Sequence, residues 1–372
     1  MLIQNANVFL PDGQFTKCDV RFTDRITGIG HFPEENGTDG TNCYLVPGFL
    51  DVHTHGAMGA DFSDGVASDL PKLARHYARH GVTSFLATTM TLPEPALTDA
   101  AKAIAAFSPA AGMADCAGLF LEGPFLSYAK RGAQAADHLH APDADFFDRV
   151  NAASGNRVRM VAVAPEEPGA IPFIRHAARA CTVAIGHTTA DYDQAAAAFS
   201  AGATELTHTY NGMNGLSHRA PGPIAAGMDA GAYAELICDG YHIHPSAIRA
   251  AFRMFPERVV LISDSVRCTG MPDGDYTLGG QPITLNGGHC TLKGTDTIAG
   301  SAIHMHDALR NAVSFGIPLE TAVAAATHHP ARALRMDGKR GFLKTGRAAD
   351  MVLLDDALDI RQVYLRGVPL DS

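Results

Sequence analysis

The chain has 372 residues, with 29 Lys and Arg against 39 Asp and Glu and a formal charge of −10. That balance argues against a nucleic-acid backbone as the main partner, and no apolar run is long enough to span a membrane. There is no basic-then-apolar leader pattern, and the seven cysteines are scattered without a CxxC, so reduced thiols and a cytoplasmic location are expected.

The length exceeds that of one usual core, which predicts one large domain and one small one. Residues Leu2 to Gly30 alternate apolar and polar around a Pro11-Asp12-Gly13 turn, predicting short antiparallel strands. A loop rich in Gly, Asn and Asp is expected over 34–42, followed by one strand over Val46–His55. Asp69 is a candidate cap for a helix that stops at Gly81. Val82–Ala87 reads as the second buried strand and Pro95–Phe107 as an Ala-rich helix. Six further apolar runs follow: Gly118–Glu122, Arg157–Ala164, Thr182–His187, Ala203–His208, Ala234–Asp239 and Val259–Asp264. Eight short apolar strands with helical spacers predict a (β/α)8 barrel, with its site at the C-terminal strand ends.

Beyond Asp264 the pattern changes. Gly279-Gly280 and Asn286-Gly287 predict a small β excursion near 270–295, on the same face of the barrel. Helical patterns return over Ser301–Phe315 and Leu319–Ala326, and the tail from Gly341 to Leu370 is strand-like. Pairing of this tail with the N-terminal hairpin predicts a small β-sandwich domain built from residues 1–47 and 335–372, beside a barrel of residues 48–334.

Ligand-type residues fall at the strand ends. His53 and His55 end the first strand, two apart and so on one face. Glu122 ends the third, His187 the fifth, His208 the sixth and Asp264 the eighth. The histidines elsewhere, such as His76, His80, His176 and His304, read as solvated or internally satisfied side chains. Four imidazoles exceed what one catalytic metal with an open position needs. Two ions sharing Glu122 would use them all, one at His53, His55 and Asp264 and the other at His187 and His208. Asp264 would shuttle the proton of an attacking water to the leaving group.

The motifs Pro47-Gly-Phe-Leu-Asp-Val-His-Thr-His-Gly56, Leu121-Glu-Gly-Pro-Phe-Leu126, Gly186-His-Thr188, Thr207-His-Thr-Tyr-Asn-Gly-Met213, Asp239-Gly-Tyr-His242, Ser263-Asp264 and Ile298-Ala-Gly300 together carry a resemblance. The chain resembles the amidohydrolase superfamily, and within it the N-acetylglucosamine-6-phosphate deacetylase family, over nearly its whole length. The resemblance implies hydrolysis of the acetamide of a phosphorylated amino sugar. Alternatives are the galactosamine epimer, or a cyclic amide as in other amidohydrolases. It implies that Glu122, His187 and His208 bind the metal common to the family, that His53 and His55 allow a second, and that Asp264 is the acid/base. Zinc is the first expectation, with iron, manganese and cobalt also suited to such ligands.

It further implies that Ala133, Asn211, Gly212, Arg219, His242, Ile298, Ala299 and Gly300 contact substrate. A homodimer is implied too, with Arg219 reaching the neighbouring subunit's phosphate. Independently, an Arg fork suits a phosphate monoester. One departure stands out: many members have His after Lys130-Arg-Gly-Ala133, and here the residue is Gln134. The fourth strand carries no Lys, unlike the dihydroorotase-like and hydantoinase-like branches.

Overall fold

The structure is a computed structural model and describes residues 1–33 and 36–371. Glu34 and Glu35, the start of the predicted loop, lie outside the described residues, as does Ser372.

Eight parallel strands follow one another in chain order around a sheet: β1 (Phe49–Thr54), β2 (Val82–Thr89), β3 (Asp115–Leu121), β4 (Val158–Val163), β5 (Thr182–Ile185), β6 (Glu205–Leu206), β7 (Tyr233–Ile237) and β8 (Val259–Ile262). A helix follows each: α1 (Leu70–Arg79), α2 (Glu94–Ala106), α3 (Ala144–Ala153), α4 (Ala170–Ala177), α5 (Tyr192–Ala201), α6 (Gly222–Ala230), α7 (Pro245–Met254) and α8 (Met305–Ser314). The (β/α)8 architecture is the one the sequence predicts.

The strands are almost wholly buried, because helices cover them outside and their own side chains fill the inside. The first and last strands meet through the residues at their ends. The Asp264 N–H donates to the His53 carbonyl at 2.9 Å, and the His55 N–H to Ser265 at 2.8 Å. Asp51, fully buried, accepts the Ser263 hydroxyl at 2.5 Å across the same seam, and burial raises its carboxyl to about 6. Barrel closure therefore sets His53, His55 and Asp264 side by side.

Local differences from the sequence reading have physical causes. The run Val46–His55 is not one strand. Tyr44–Pro47 belongs to a second sheet, the chain breaks at Gly48, and β1 begins at Phe49. A Cβ on Gly48 would lie 2.1 Å from the Thr83 side chain, so only glycine passes there. Asp69 occupies the cap position of α1 with helical backbone angles and makes no capping hydrogen bond; Pro71, in the first turn, starts this helix instead. Asp191 with Gln194 and Asp143 do cap α5 and α3.

The second sheet joins both chain ends in the order Val368–Pro369, Ile360–Leu365, Met351–Leu354, Tyr44–Pro47, Leu2–Phe9, Phe15–Phe22, Ile26–Gly30. The tail thus pairs with Tyr44–Pro47, which lies between it and the N-terminal hairpin. Phe22 and Tyr364, on strands four places apart in this order, have ring centroids 5.3 Å apart, so the sheet folds over on itself as a sandwich does. A third, three-stranded sheet (Gly274–Leu278, Gln281–Asn286, His289–Leu292) follows β8.

Candidate active site and metal centre

The ligand-type residues sit in β1 or just past the ends of β1, β3, β5, β6 and β8. His187, His208 and Asp264 each lie two residues beyond their strand, with φ of +46°, +27° and +48°. Left-handed backbone is costly for a residue with a Cβ, and it tends to persist where the surroundings hold a functional side chain in place. Here it turns each chain away from its strand and aims the side chain over the barrel mouth.

Two groups of three result: His53, His55 and Asp264, and Glu122, His187 and His208, all buried. Glu122 lies between them. Its Oε1 is 3.1 Å from His187 Nε2, 3.0 Å from His208 Nε2 and 3.4 Å from His53 Nε2. Its Oε2 is 3.2 Å from His55 Nε2. Asp264 Oδ1 faces His53 and His55 at 3.5 and 3.4 Å.

The outer ring nitrogens fix the tautomers. His187 Nδ1–H donates to the Lys130 carbonyl at 2.8 Å, His208 Nδ1–H to that of Asn211 at 3.1 Å, and His53 Nδ1–H to Glu235 Oε2 at 2.9 Å. Each of these partners can only accept, so in the neutral ring the inward Nε2 carries the lone pair. With no ion present, burial lowers His53, but Glu235, Glu122 and Asp264 outweigh it and raise the ring well above its ordinary value. Yet His187 Nε2 and His208 Nε2 are 3.0 Å apart, and both face a carboxylate oxygen. Lone pairs so converged repel one another unless a cation or a proton lies among them. The donor set therefore fits a divalent ion held by imidazole and carboxylate. His55 differs, since its Nδ1 has no partner among the described residues.

Burial disfavours ionisation of Glu122, but the imidazoles of His53, His187 and His208 outweigh it and hold the carboxylate well below its usual range. Asp264 is lowered likewise, against burial, by His53 and His55. Both are anionic at neutral pH, as ion ligands must be.

Above these groups opens a cavity of about 230 Å³. Ala133, Asn211, Gly212, His242, Ile298 and Gly300 line it, together with Gln134, Met90, Ile237, Leu278 and Thr297. Two residues predicted to contact substrate do not line it. Ala299 is fully buried, its N–H donating to the Cys290 carbonyl, and Arg219 sits on an exposed loop. His242 Nδ1 is 2.7 Å from Asp239, which leaves Nε2 for the cavity. Gln134 is locked: its oxygen accepts the Thr91 N–H at 2.6 Å and its amide donates to Glu122 Oε2 at 2.7 Å. The residue replacing the family His thus braces Glu122.

An amidohydrolase pattern matches residues 44–370. The chain belongs to the amidohydrolase family. Within that family it is 40% identical over 327 residues to the N-acetylgalactosamine-6-phosphate deacetylase of Escherichia coli O157:H7, covering 87% of this chain and 86% of that one. It is 36% identical to the N-acetylglucosamine-6-phosphate deacetylase of Vibrio furnissii, covering 87% and 82%. The crystal structure of N-acetyl-D-glucosamine-6-phosphate deacetylase from Mycobacterium smegmatis superposes with a TM-score of 0.94 at 34% identity, over the full length of both chains.

Glu235 was not singled out from the sequence. It is fully buried on β7, and its Oε2 accepts both His53 Nδ1–H and the His208 backbone N–H, the latter at 3.0 Å. A lone acid inside the apolar run Ala234–Cys238 was the available signal. Among the described residues no helix is long and apolar enough to cross a membrane.

Proposed function

We propose that this amidohydrolase cleaves the acetamide of N-acetylglucosamine 6-phosphate, giving acetate and glucosamine 6-phosphate in amino-sugar breakdown. The observation that carries the reading is the pair of three-residue ligand groups joined at Glu122, with Asp264 facing the cavity above them. Glu122, His187 and His208 would hold the principal ion, and His53, His55 and Asp264 would allow a second. Zinc is the ion assigned first; iron, manganese and cobalt suit the same donors.

A divalent ion there would supply Lewis acidity, polarising the amide carbonyl and acidifying water beside it. The chain's own residues do the rest. Asp264 removes a proton from the water as its oxygen attacks the acetyl carbon. It then gives that proton to the sugar nitrogen as the C–N bond breaks, so one water is consumed per acetate and amine released. Gln134 keeps Glu122 in register. His242, steadied by Asp239, offers Nε2 to the sugar or phosphate, and Asn211, Gly212, Ile298 and Gly300 enclose the ring. Ala299 acts through the loop it anchors.

Arg219 lies outside this chain's own cavity. The family resemblance implies that it serves the phosphate of a partner subunit's substrate, and we propose that role for it in a cytoplasmic homodimer.

The galactosamine epimer is a second reading, favoured by the 40% identity to the Escherichia coli relative. Acetate release from both 6-phosphorylated sugars by the purified enzyme tests the proposal. Faster turnover of the galacto sugar would reverse the order of the two readings, and turnover of neither would end both.

A further inference from the structure

One cluster of imidazoles has no part in this chemistry. His76 and His80 are four residues apart, on α1 and at its C-terminal boundary, and so project from one face. His304, at the N-cap of α8, approaches them across the seam between the first and last strands. His76 Nε2 and His304 Nε2 are 3.1 Å apart. The His80 ring lies parallel to that of His304, centroids 3.7 Å apart, and 4.4 Å from that of His76. One nitrogen from each of the three lies within 4.8 Å of the other two. All three residues are half-buried. The sequence reading of these histidines as solvated or internally satisfied side chains did not anticipate that these three meet one another; His176 pairs with Asp148 at the surface.

The outer nitrogens are again committed. His304 Nδ1 is 3.0 Å from Asp307 Oδ2, and His80 Nδ1 is 2.8 Å from the His76 carbonyl. The His76 carbonyl accepts only, so in the neutral ring His80 Nε2 carries a lone pair, while His304 meets both the carboxylate and the backbone N–H of Asp307. Carboxylate and carbonyl partners of this kind orient the histidines of metal sites. A set of imidazoles selects zinc-like transition ions over magnesium or calcium.

We propose that His76, His80 and His304 form a further metal site, in which a zinc-class divalent ion clips the helix after the first barrel strand to the helix after the last. Three imidazoles leave a fourth position for water. An ion in the plane of one of two parallel rings is out of the plane of the other, so His80 must tilt from its stack when the ion enters. Lys72 and Arg79, close to His76, weaken the site, and Asp307 offsets them in part. The competing arrangement has no ion, with His76 Nε2–H donating to His304.

The test uses the full chain and its His76→Gln and His304→Asn variants, equilibrated with the same buffered free zinc. Bound zinc is counted by plasma emission, and melting is followed with and without zinc. Each variant is expected to hold one ion fewer per chain and to lose part of the zinc-dependent rise in Tm, because an ion bound only by the folded state stabilises it. His76→Gln should keep the wild-type rate of acetate release. Equal ion counts in wild type and variants overturn the proposal. Asn suits the helix N-cap; if His304→Asn is nevertheless recovered unfolded, His76→Gln decides alone. Ion count and Tm need no substrate, so this proposal fails or holds separately from the deacetylase reading.

Discussion

Glu235→Gln offers the most discriminating perturbation of the centre. In the wild type, Glu235 Oε2 accepts two buried donors, His53 Nδ1–H and the His208 N–H, while its Oε1 has no partner among the described residues. Gln can place its oxygen where Oε2 lies and its amide where Oε1 lies, so both hydrogen bonds survive and only the charge is lost. A hydrogen bond to a charged group contributes about 1.5–3 kcal/mol against about 1 for a neutral one, so the His53 bond weakens by roughly 0.5–2 kcal/mol. That is a factor of roughly 2–30 in ion affinity, overlapping the 10–100-fold typical of partners of metal-bound histidines, ~10-fold being the central expectation.

The fold should not suffer in parallel. Glu205, on the neighbouring strand, is fully buried with neither oxygen partnered among the described residues, and burial, then the Glu235 charge, pushes its carboxyl well above its ordinary value. Burial keeps Glu205 uncharged, so Gln at 235 sets no new charge beside it, though His53 loses the carboxylate that does most to raise it. The metal-free variant should therefore melt at or slightly below the metal-free wild type, while the ion expected at His53 and His55 binds about tenfold more weakly. Metal titration with calorimetric melts of both proteins checks this. Wild-type affinity for both ions would refute the argument, as would a large drop in metal-free Tm, which would make Glu235 a purely structural residue.

Three further outcomes are expected. His187→Ala or His208→Ala should lose the principal ion and nearly all turnover, while His53→Ala with His55→Ala should remove at most one ion; metal analysis with acetate assays checks both. Asp264→Asn should fold and bind substrate yet lose about 10²–10⁴ in rate, and a near wild-type kcat would remove it from the proton-transfer role. Arg219→Ala should cut kcat/KM on the phosphorylated sugar by roughly ten- to a hundredfold and spare the unphosphorylated one, with Arg219→Lys recovering only part. Mixed dimers of Arg219→Ala and Asp264→Asn chains should regain activity if the arginine serves the partner's site.

Much of this was legible because buried parallel strands are short apolar runs, and a ligand at the end of such a run stands out. Glu122, His187, His208 and Asp264 each stand out this way in the sequence. The break at Gly48 was not legible, because Val46–His55 is uniformly strand-like and only the approach of Thr83 forces the change of sheet. Glu235 was missed because its importance comes from two donors on other strands. The pairing of His76 with His304 spans 228 residues, and only barrel closure brings them together. Arg219 was legible as a cation, but a single chain does not carry it to the cavity.

The left-handed backbone at His187, His208 and Asp264 has an evolutionary consequence. At each position glycine would relax the main chain, so the substitution that abolishes chemistry also removes a local conformational penalty of about 1–3 kcal/mol. Drift at these positions is then biased toward stable but inactive descendants, and only selection for turnover holds the three side chains in place. A line of this family released from that selection should lose these residues early, to glycine or asparagine, with its barrel intact.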